Sequence, residues 1–200
     1  MKIELEVDLV DVAGGNLGSV GRCLKRLNVP YRLANAKNPP SGNRPIILPG
    51  VGNFGAVMNN LKRDGFDQLL IDLIAGGTPY LGICVGMQVL FDWGDESQVA
   101  GLGILAGKVV KLEQGKIPQI GWNPIEPRKG DGMPGYVYFV NSYVAQPEIG
   151  ENIFYTADYH GQFCAAVQSK NITAFQFHPE KSGEFGEKLL CNWLDTVNQC

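Results

Sequence analysis

The sequence contains no long apolar run and no concentration of positive charge. A membrane-spanning helix needs about 18 or more consecutive apolar residues, and no stretch of these 200 residues approaches that length. Lysine and arginine number 17 against 20 for aspartate and glutamate, which gives a formal net charge of −3. The sequence therefore predicts neither a membrane partner nor a nucleic-acid partner.

The cysteines are odd in number and widely scattered, and the N-terminal stretch lacks targeting features. The five cysteines show no CxxC spacing: Cys23, Cys84, Cys164, Cys191 and Cys200. This distribution fits reduced thiols better than a disulfide framework or a zinc site. The stretch MKIELEVDLVDV lacks the basic and apolar regions of a signal peptide, and its acids argue against a transit peptide. We expect a cytoplasmic protein without a metal site or a cofactor.

What is present is the pattern of an α/β protein. Hydrophobic residues make up 44% of the chain and charged residues 18%, as in ordinary globular proteins, and the length favours one domain over residues 1–200. Short β-like runs alternate with amphipathic stretches, which predicts a mostly parallel central sheet flanked by helices. Beyond about residue 102 the runs are β-rich, which predicts antiparallel strands added in the C-terminal half. The predicted strands of the first half cover residues 7–11, 31–34, 46–48 and 79–83, and the predicted helices cover 16–27, 54–75 with a break near Gly65, 85–93 and 184–197.

One cysteine lies where a predicted strand meets a predicted helix, with a glycine two residues away on either side. The pentapeptide GICVG, residues 82–86, has the form of a nucleophile elbow with Cys84 in place of serine. A tight strand-to-helix turn needs small flanking residues, and it exposes the side chain at the head of the helix, where the helix dipole favours a thiolate. A buried cysteine at an ordinary turn accounts for the pentapeptide equally well, so a nucleophile requires a second observation.

The two histidines are the candidates for the general base that a cysteine nucleophile needs. His160 lies in the polar turn ADYHGQF and is predicted to be solvated. His178 follows the β-run 172–177, at the strand end where open α/β sheets hold ligands, and Glu180 is spaced to orient it. The tripeptide HPE alone favours a capped turn, but together with Cys84 it favours a Cys-His-Glu triad.

These motifs belong to a wider resemblance that covers nearly the whole chain. The blocks LGICVGMQ and FQFHPEKS resemble the class I, or triad, glutamine amidotransferases. The blocks LPGVGNF, PQIGWN and YVYFVNSY resemble, more narrowly, the glutaminase subunits of imidazole glycerol phosphate synthase. The resemblance implies the class I amidotransferase fold, a single domain, L-glutamine as the substrate and no cofactor. It also implies a heterodimer with a separate (β/α)₈ cyclase subunit, which uses the ammonia to make imidazole glycerol phosphate in histidine biosynthesis.

The same resemblance implies roles for thirteen residues. The catalytic residues would be Cys84, His178 and Glu180; the oxyanion hole Val51, Gly52 and Val85; the glutamine contacts Gln88, Glu96, Ser142 and Tyr143; and the partner interface Asn123, Tyr138 and Lys181. Two glycines flank Val51, so its peptides could rotate into geometries that other residues resist. For Glu96, in WGDES, a solvated acid is nearly as good an interpretation.

Two departures from the family pattern leave the ammonia acceptor open. Asn141 stands where the family usually has histidine, and Asp11-Val12-Ala13 replaces a first loop, DYG, that usually has an aromatic residue. Alternatives are therefore a paralogue that supplies ammonia to another synthase, for instance in surface-sugar biosynthesis, or a class I amidotransferase for a different acceptor. A non-catalytic assembly protein on this scaffold is disfavoured by the intact triad motif, and a peptidase-like cysteine protein does not account for HPE or GWN.

Overall fold

A computed structural model describes residues 5–12, 16–130 and 132–198 of the chain. Two residues singled out from the sequence, Ala13 and Cys200, lie outside the described residues. The helices in this part of the chain are α1 (Leu17–Arg26), α2 (Phe54–Arg63), α3 (Phe66–Ala75), α4 (Val85–Gln88) and α5 (Gly183–Asn198). The strands are β1 (Val7–Val10), β2 (Tyr31–Ala34), β3 (Ile46–Gly50), β4 (Tyr80–Cys84), β5 (Phe91–Gly94), β6 (Val99–Ala100), β7 (Leu105–Lys111), β8 (Gln119–Pro127), β9 (Gly135–Asn141), β10 (Tyr143–Pro147), β11 (Ile153–Asp158), β12 (Gln162–Ser169) and β13 (Ile172–Phe175).

Five strands form the parallel half of the sheet, in the order β2-β1-β3-β4-β13. The strands β3 and β4 are buried throughout, which is the burial expected of parallel strands that are covered on both faces. Their carboxyl ends lie side by side, with Gly50 opposite Cys84. On the other side of β4, Phe175 lies opposite Ile83. The sheet therefore brings three chain segments together at one edge.

The remaining strands extend this core as a mixed sheet. The order continues from β13 through β12, β10, β7 and β5 to β6, and β11, β8 and β9 form a branch from β12. All of these pairs are antiparallel except β5 with β7. The predicted fold class, a mostly parallel α/β core with antiparallel strands added in the C-terminal half, is confirmed. Within the described ranges, no helix combines the length and the apolar character that crossing a membrane requires.

The predicted break near Gly65 is confirmed, and the predicted helix over residues 85–93 is wrong in its second half. Gly65 has φ 71°, a left-handed conformation that separates α2 from α3. The helix that follows Cys84 ends at Gln88, and residues 91–94 form β5, which pairs with β7. The run VLFDW is apolar enough for either structure. Phe91 is fully buried in this pairing, so tertiary contacts outweighed the helical spacing.

A buried ion pair joins β1 to β2. Asp8 is fully buried, and it accepts two hydrogen bonds from Arg32, at 2.7 Å and 2.8 Å. Paired geometry of this kind satisfies both carboxylate oxygens. The pair explains how a charged residue occupies the middle of an otherwise apolar strand.

Removing the cation of this pair is expected to destabilise the protein. In Arg32→Met, the buried Asp8 carboxylate loses its partner, which costs about 2 kcal/mol of unfolding free energy, less than for a fully buried pair, because Arg32 is 29% exposed. The measurement is urea denaturation followed by circular dichroism. The control Arg63→Met breaks a surface pair with Asp64 and is expected to leave stability unchanged. Equal stability of the two variants would contradict the role of the buried pair.

Candidate active site

Cys84 lies at a strained turn between β4 and α4. Its backbone has φ 55° and ψ −109°, a combination that is costly for a residue with a side chain. The flanking glycines permit it: a Cβ at Gly86 would lie 1.8 Å from Leu48 O, and one at Gly82 would lie 2.5 Å from Gly86 O. The glycine pattern of the elbow motif is therefore a requirement of close backbone packing.

His178 and Glu180 lie beyond the end of β13, next to that turn. His178 Nδ1 lies 2.8 Å from Glu180 Oε1, and both side chains are buried. The histidine backbone is held from two sides, because His178 N donates to Tyr138 O at 2.9 Å and His178 O accepts from Ser182 Oγ at 2.7 Å. A second donor to Glu180 Oε1 is Asn16 Nδ2. The ring is therefore fixed with its other nitrogen, Nε2, available to Cys84.

The surroundings of His178 favour its charged form. Burial of the ring is the largest single influence and lowers the pKa, but hydrogen bonds to Cys84 and Glu180, together with the negative charge of both groups, outweigh it. The net effect raises the pKa of His178 to about 10. The arrangement is suited to an imidazolium that faces a cysteine sulfur.

A cavity of about 590 Å³ opens on Cys84. Ten of the thirteen residues that the sequence singled out line it: Val51, Gly52, Cys84, Val85, Gln88, Glu96, Ser142, Tyr143, His178 and Lys181. Glu180 lies behind His178, and Tyr138 and Asn123 lie outside the cavity. The geometry brings the predicted residues together, and their individual roles stay predictions.

The turn that follows β3 packs against the head of α4. A Cβ at Gly50 would lie 2.9 Å from Val85 Cβ and 3.0 Å from Gly86 N, so the two backbones are in close contact. Val51 follows directly, and Gly52 has φ 95°, with no atom beyond its two chain neighbours within 4 Å of where a Cβ would be. Val51 and Val85 thus both line the cavity that opens on Cys84, and their role as oxyanion donors stays a prediction.

The predicted glutamine contacts are themselves held by hydrogen bonds. Gln88 is 4% exposed, and its Nε2 donates to Tyr143 O at 3.2 Å. Glu96 Oε2 accepts from Phe54 N at 2.6 Å, at the start of α2. Glu96 is therefore a positioned acid on the cavity wall, in contrast to the freely solvated acid that the sequence also allowed.

Sequence reasoning missed Asn16 and Gln176 as members of the site. Asn16 was assigned to the start of a helix, but its side chain makes no capping bond to α1 and contacts Glu180 instead. Gln176 is fully buried, and its Nε2 lies 3.7 Å from Cys84 Sγ. A polar residue inside the apolar run ITAFQF was a usable signal for Gln176, whereas nothing local in the sequence pointed to Asn16.

A second cavity, of about 450 Å³, contains the other histidine but not an activated nucleophile. His160 is exposed in the turn between β11 and β12, as predicted, and Cys164 lies on the cavity wall. Burial raises the pKa of Cys164 to about 12, which keeps its thiol protonated. Among the described residues, no cluster of histidine, cysteine, aspartate and glutamate is arranged to hold a metal ion.

An exposed apolar face adjoins the Cys84 cavity. It is formed by one side of the β8-β9 hairpin, where Ile120 is 62% exposed, Trp122 57% and Tyr136 63%. Tyr138 packs edge-to-face on Trp122 with ring centroids 5.9 Å apart. Val140, opposite Ile120, also lines the cavity, so the hairpin face and the cavity are continuous. Of the other two predicted interface residues, Lys181 lies on the cavity wall and Asn123 donates to Asp158 O at 2.7 Å.

Comparisons with known proteins agree with this geometry. The class-I glutamine amidotransferase family matches residues 8–197 of the chain. The imidazole glycerol phosphate synthase subunit HisH of Dehalococcoides mccartyi is 43% identical over 198 residues, covering 94% of this chain and 96% of that protein. The HisH subunit of Desulfitobacterium hafniense is 41% identical over 201 residues, covering 96% of this chain and 95% of that protein.

Solved structures share the fold at lower identity. A crystal structure of a glutamine amidotransferase has a TM-score of 0.75 at 20% identity, covering 94% of this chain and 97% of the other. The structure of PurLQS from Thermotoga maritima also has a TM-score of 0.75, at 18% identity, covering 98% of this chain and 100% of the matched one. At these identities the likeness concerns the architecture of the chain.

Proposed function

The chain belongs to the class-I glutamine amidotransferase family, and we propose that it is the glutaminase subunit of an imidazole glycerol phosphate synthase. In this proposal residues 1–200 form one domain that hydrolyses L-glutamine to glutamate and ammonia. The ammonia passes to a separate (β/α)₈ cyclase subunit, which makes imidazole glycerol phosphate in histidine biosynthesis. The observation that carries the proposal is the buried His178–Glu180 pair beside the strained Cys84.

The chemistry starts from a Cys84 thiolate paired with a His178 imidazolium. Cys84 Sγ attacks the side-chain carbonyl carbon of glutamine and forms a C–S bond, while the carbonyl electrons move to the oxygen. His178 Nε2 then gives its proton to the amide nitrogen, which leaves as ammonia, and a γ-glutamyl thioester remains. Glu180 holds Nδ1 and stabilises the imidazolium in the role of the triad acid.

The second half of the reaction returns the enzyme to its starting state. His178, now neutral, takes a proton from a water molecule that attacks the thioester carbon. The C–S bond breaks, glutamate leaves, and Sγ departs as a thiolate that is again paired with imidazolium. In both halves the oxygen of the tetrahedral intermediate carries a negative charge, and the N–H groups of Val51 and Val85 would stabilise it, each by a factor of about 100 to 1000 in rate.

The exposed hairpin face is evidence for a protein partner. Monomeric soluble proteins rarely leave a contiguous apolar patch open unless it serves an interaction, and aromatic residues are enriched in interface centres. Free ammonia is mostly protonated at neutral pH and diffuses away, so a glutaminase benefits from a partner seated at its cavity. The HisH relatives are named as subunits, which agrees with a cyclase subunit on this face.

A second candidate is an amidotransferase that supplies ammonia to another acceptor. It is favoured by Asn141, which replaces the usual histidine of the family and lies buried on the cavity wall. Val12, the other departure, is buried, and its carbonyl accepts from Asn60 at 2.9 Å. The identity of more than 40% to two HisH subunits favours the synthase.

The proposed function is tested by adding the barrel subunit of an imidazole glycerol phosphate synthase to the chain. We expect slow glutamine hydrolysis by the chain alone and strong acceleration when the partner carries its substrate. Trp122→Ala is expected to weaken partner binding about 30-fold, because tryptophans that become buried in an interface are frequent hot spots worth about 2 kcal/mol or more. The measurements are a titration of glutaminase activity with the partner and isothermal calorimetry.

The matched control is Trp93→Ala, which removes a tryptophan that is 41% exposed on β5, outside the hairpin. Its partner affinity should equal that of the wild type. Full glutaminase activity without any partner would argue against a synthase subunit. Equal loss of affinity in both tryptophan variants would move the interface away from the hairpin.

A further inference from the structure

A buried glutamine outside the triad contacts the sulfur of Cys84. Gln176 follows the last residue of β13 and is fully buried. Its Nε2 lies 3.7 Å from Cys84 Sγ, and its Oε1 accepts a hydrogen bond from Gln88 Nε2 at 2.9 Å. Its backbone N–H donates to Ala165 O at 2.8 Å, so strand pairing fixes the position of the backbone from which the side chain extends.

The direction of these hydrogen bonds follows from a backbone carbonyl. Tyr143 O can only accept, so Gln88 must present its Nε2 to it. The second proton of the same Nε2 then points to Gln176, which must turn its Oε1 toward Gln88. That leaves the Nε2 of Gln176 facing Cys84. The row of hydrogen bonds from Tyr143 O through Gln88 and Gln176 therefore ends with an N–H donor that faces the Cys84 sulfur.

A donor in this place discriminates between the two forms of the sulfur. A thiolate accepts a charge-assisted hydrogen bond, which is stronger than the bond that a neutral thiol accepts. Another contact of Sγ is Val140 O at 3.9 Å, which is an acceptor and therefore cannot donate a hydrogen bond to a thiolate. Among the described residues, the side chains that face Cys84 Sγ with a hydrogen-bond donor are those of His178 and Gln176.

We infer that Gln176 is a second hydrogen-bond donor to the Cys84 thiolate and at the same time positions Gln88 on the cavity wall. This inference rests on the proposed glutaminase function, in which the thiolate is both the nucleophile of the first half-reaction and the leaving group of the second. A donor to the thiolate helps to hold the sulfur in its charged form in the resting enzyme and after the thioester is hydrolysed.

The first test replaces the amide with a side chain of similar length that cannot donate. In Gln176→Met, we expect the alkylation of Cys84 by iodoacetamide to slow by about 10-fold or more on the acidic side of its pH profile, where the fraction of thiolate limits the rate, because the thiolate loses a hydrogen bond to a charged group. The pH profile of alkylation should move to higher pH. Mass spectrometry of the full chain identifies Cys84 as the modified residue. The other ionisable groups around the sulfur are unchanged: Glu96, Tyr143, His178, Glu180 and Lys181.

Turnover gives an independent reading of the same variant. In the complex with its partner, kcat for glutamine should fall about 10-fold, because the thiolate takes part in both half-reactions. KM should rise by a smaller factor, because Gln88 loses the hydrogen bond that positions it. The matched control is Gln168→Met on β12, the strand that pairs with β13. This control loses an amide outside the Cys84 cavity and is expected to behave as wild type in alkylation and turnover.

A second variant separates donation from packing. Gln176→Glu keeps the shape and an oxygen for Gln88, but it places a negative charge beside the sulfur, so we expect alkylation on the acidic side of the pH profile to be slower than in Gln176→Met. Wild-type alkylation in folded Gln176→Glu or Gln176→Met would overturn the inference. If the wild-type complex failed to hydrolyse glutamine while both variants still slowed alkylation, the proposed function would fail and the donor role would stand.

Discussion

Replacing Cys84 with alanine is expected to abolish glutamine hydrolysis, with turnover about 10⁴-fold or more below the wild type. Among the described residues that line the cavity, Cys84 is the single cysteine, so no other thiol there can form the thioester. In the proposed function the acceptor reaction takes place in the cyclase subunit, so the complex should still use added ammonium salts. The two activities are measured side by side with glutamine and with ammonium chloride as nitrogen sources.

The matched control for this variant is Cys191→Ala, which removes a partly buried thiol on α5, outside the cavity. It should retain both activities. Glutamine turnover by Cys84→Ala at more than about one per cent of the wild-type rate would show that the triad is assigned wrongly. Loss of both activities in Cys84→Ala, with the partner still bound, would show that the chain contributes to synthesis by more than ammonia supply.

Replacing Glu180 with glutamine is expected to lower kcat about 1000-fold, without loss of fold. The change removes the negative charge that faces His178 Nδ1 at 2.8 Å, and loss of the corresponding charge in a serine-protease triad costs about 10⁴. The pH profile should change as well. In the wild type, the raised pKa of His178, about 10, keeps the imidazolium present into alkaline solution. Without the carboxylate that pKa falls, so the alkaline limb of activity moves to lower pH.

The control for this change is Glu187→Gln, which neutralises an acid of the same type on α5. Glu187 pairs with Arg26 at 2.8 Å near the surface, so its loss should leave kcat and the pH profile unaltered. A Glu180→Gln enzyme with the wild-type alkaline limb would mean that Glu180 does not act on the protonation of His178. Stopped assays between pH 6 and about pH 10 resolve the two outcomes.

Much of the fold was predictable because local patterns and tertiary structure agree. The buried runs of β3 and β4 have the composition of parallel strands, and the glycine at position 65 marks the break between α2 and α3. The error in residues 91–94 has a different origin. Those residues are apolar enough for a helix or a strand, and the decision came from β7, which is more than ten residues away along the chain.

The site divides in the same way. Cys84, His178 and Glu180 were recognisable, because a strained turn demands flanking glycines and because a triad acid sits at a short spacing from its histidine. Asn16 was not recognisable as a contact of Glu180, since the two are 164 residues apart. The same holds for the hydrogen bonds among Gln88, Gln176 and Cys84, which depend on how three separate segments meet.

The sequence by itself therefore determined the family, the mostly parallel α/β class and the identity of the proposed nucleophile, base and acid. These features depend on backbone requirements and side-chain chemistry that a short motif contains. Only the tertiary structure decided which groups surround the sulfur and that Glu96 contacts Phe54 and Asn16 contacts Glu180. It also decided that the β8-β9 hairpin leaves an apolar face exposed beside the cavity. The physical reason is that parallel pairing of β3, β4 and β13 brings residues 51, 84 and 178 to one edge of the sheet. Which side chains then touch depends on this long-range pairing, which no short sequence pattern specifies.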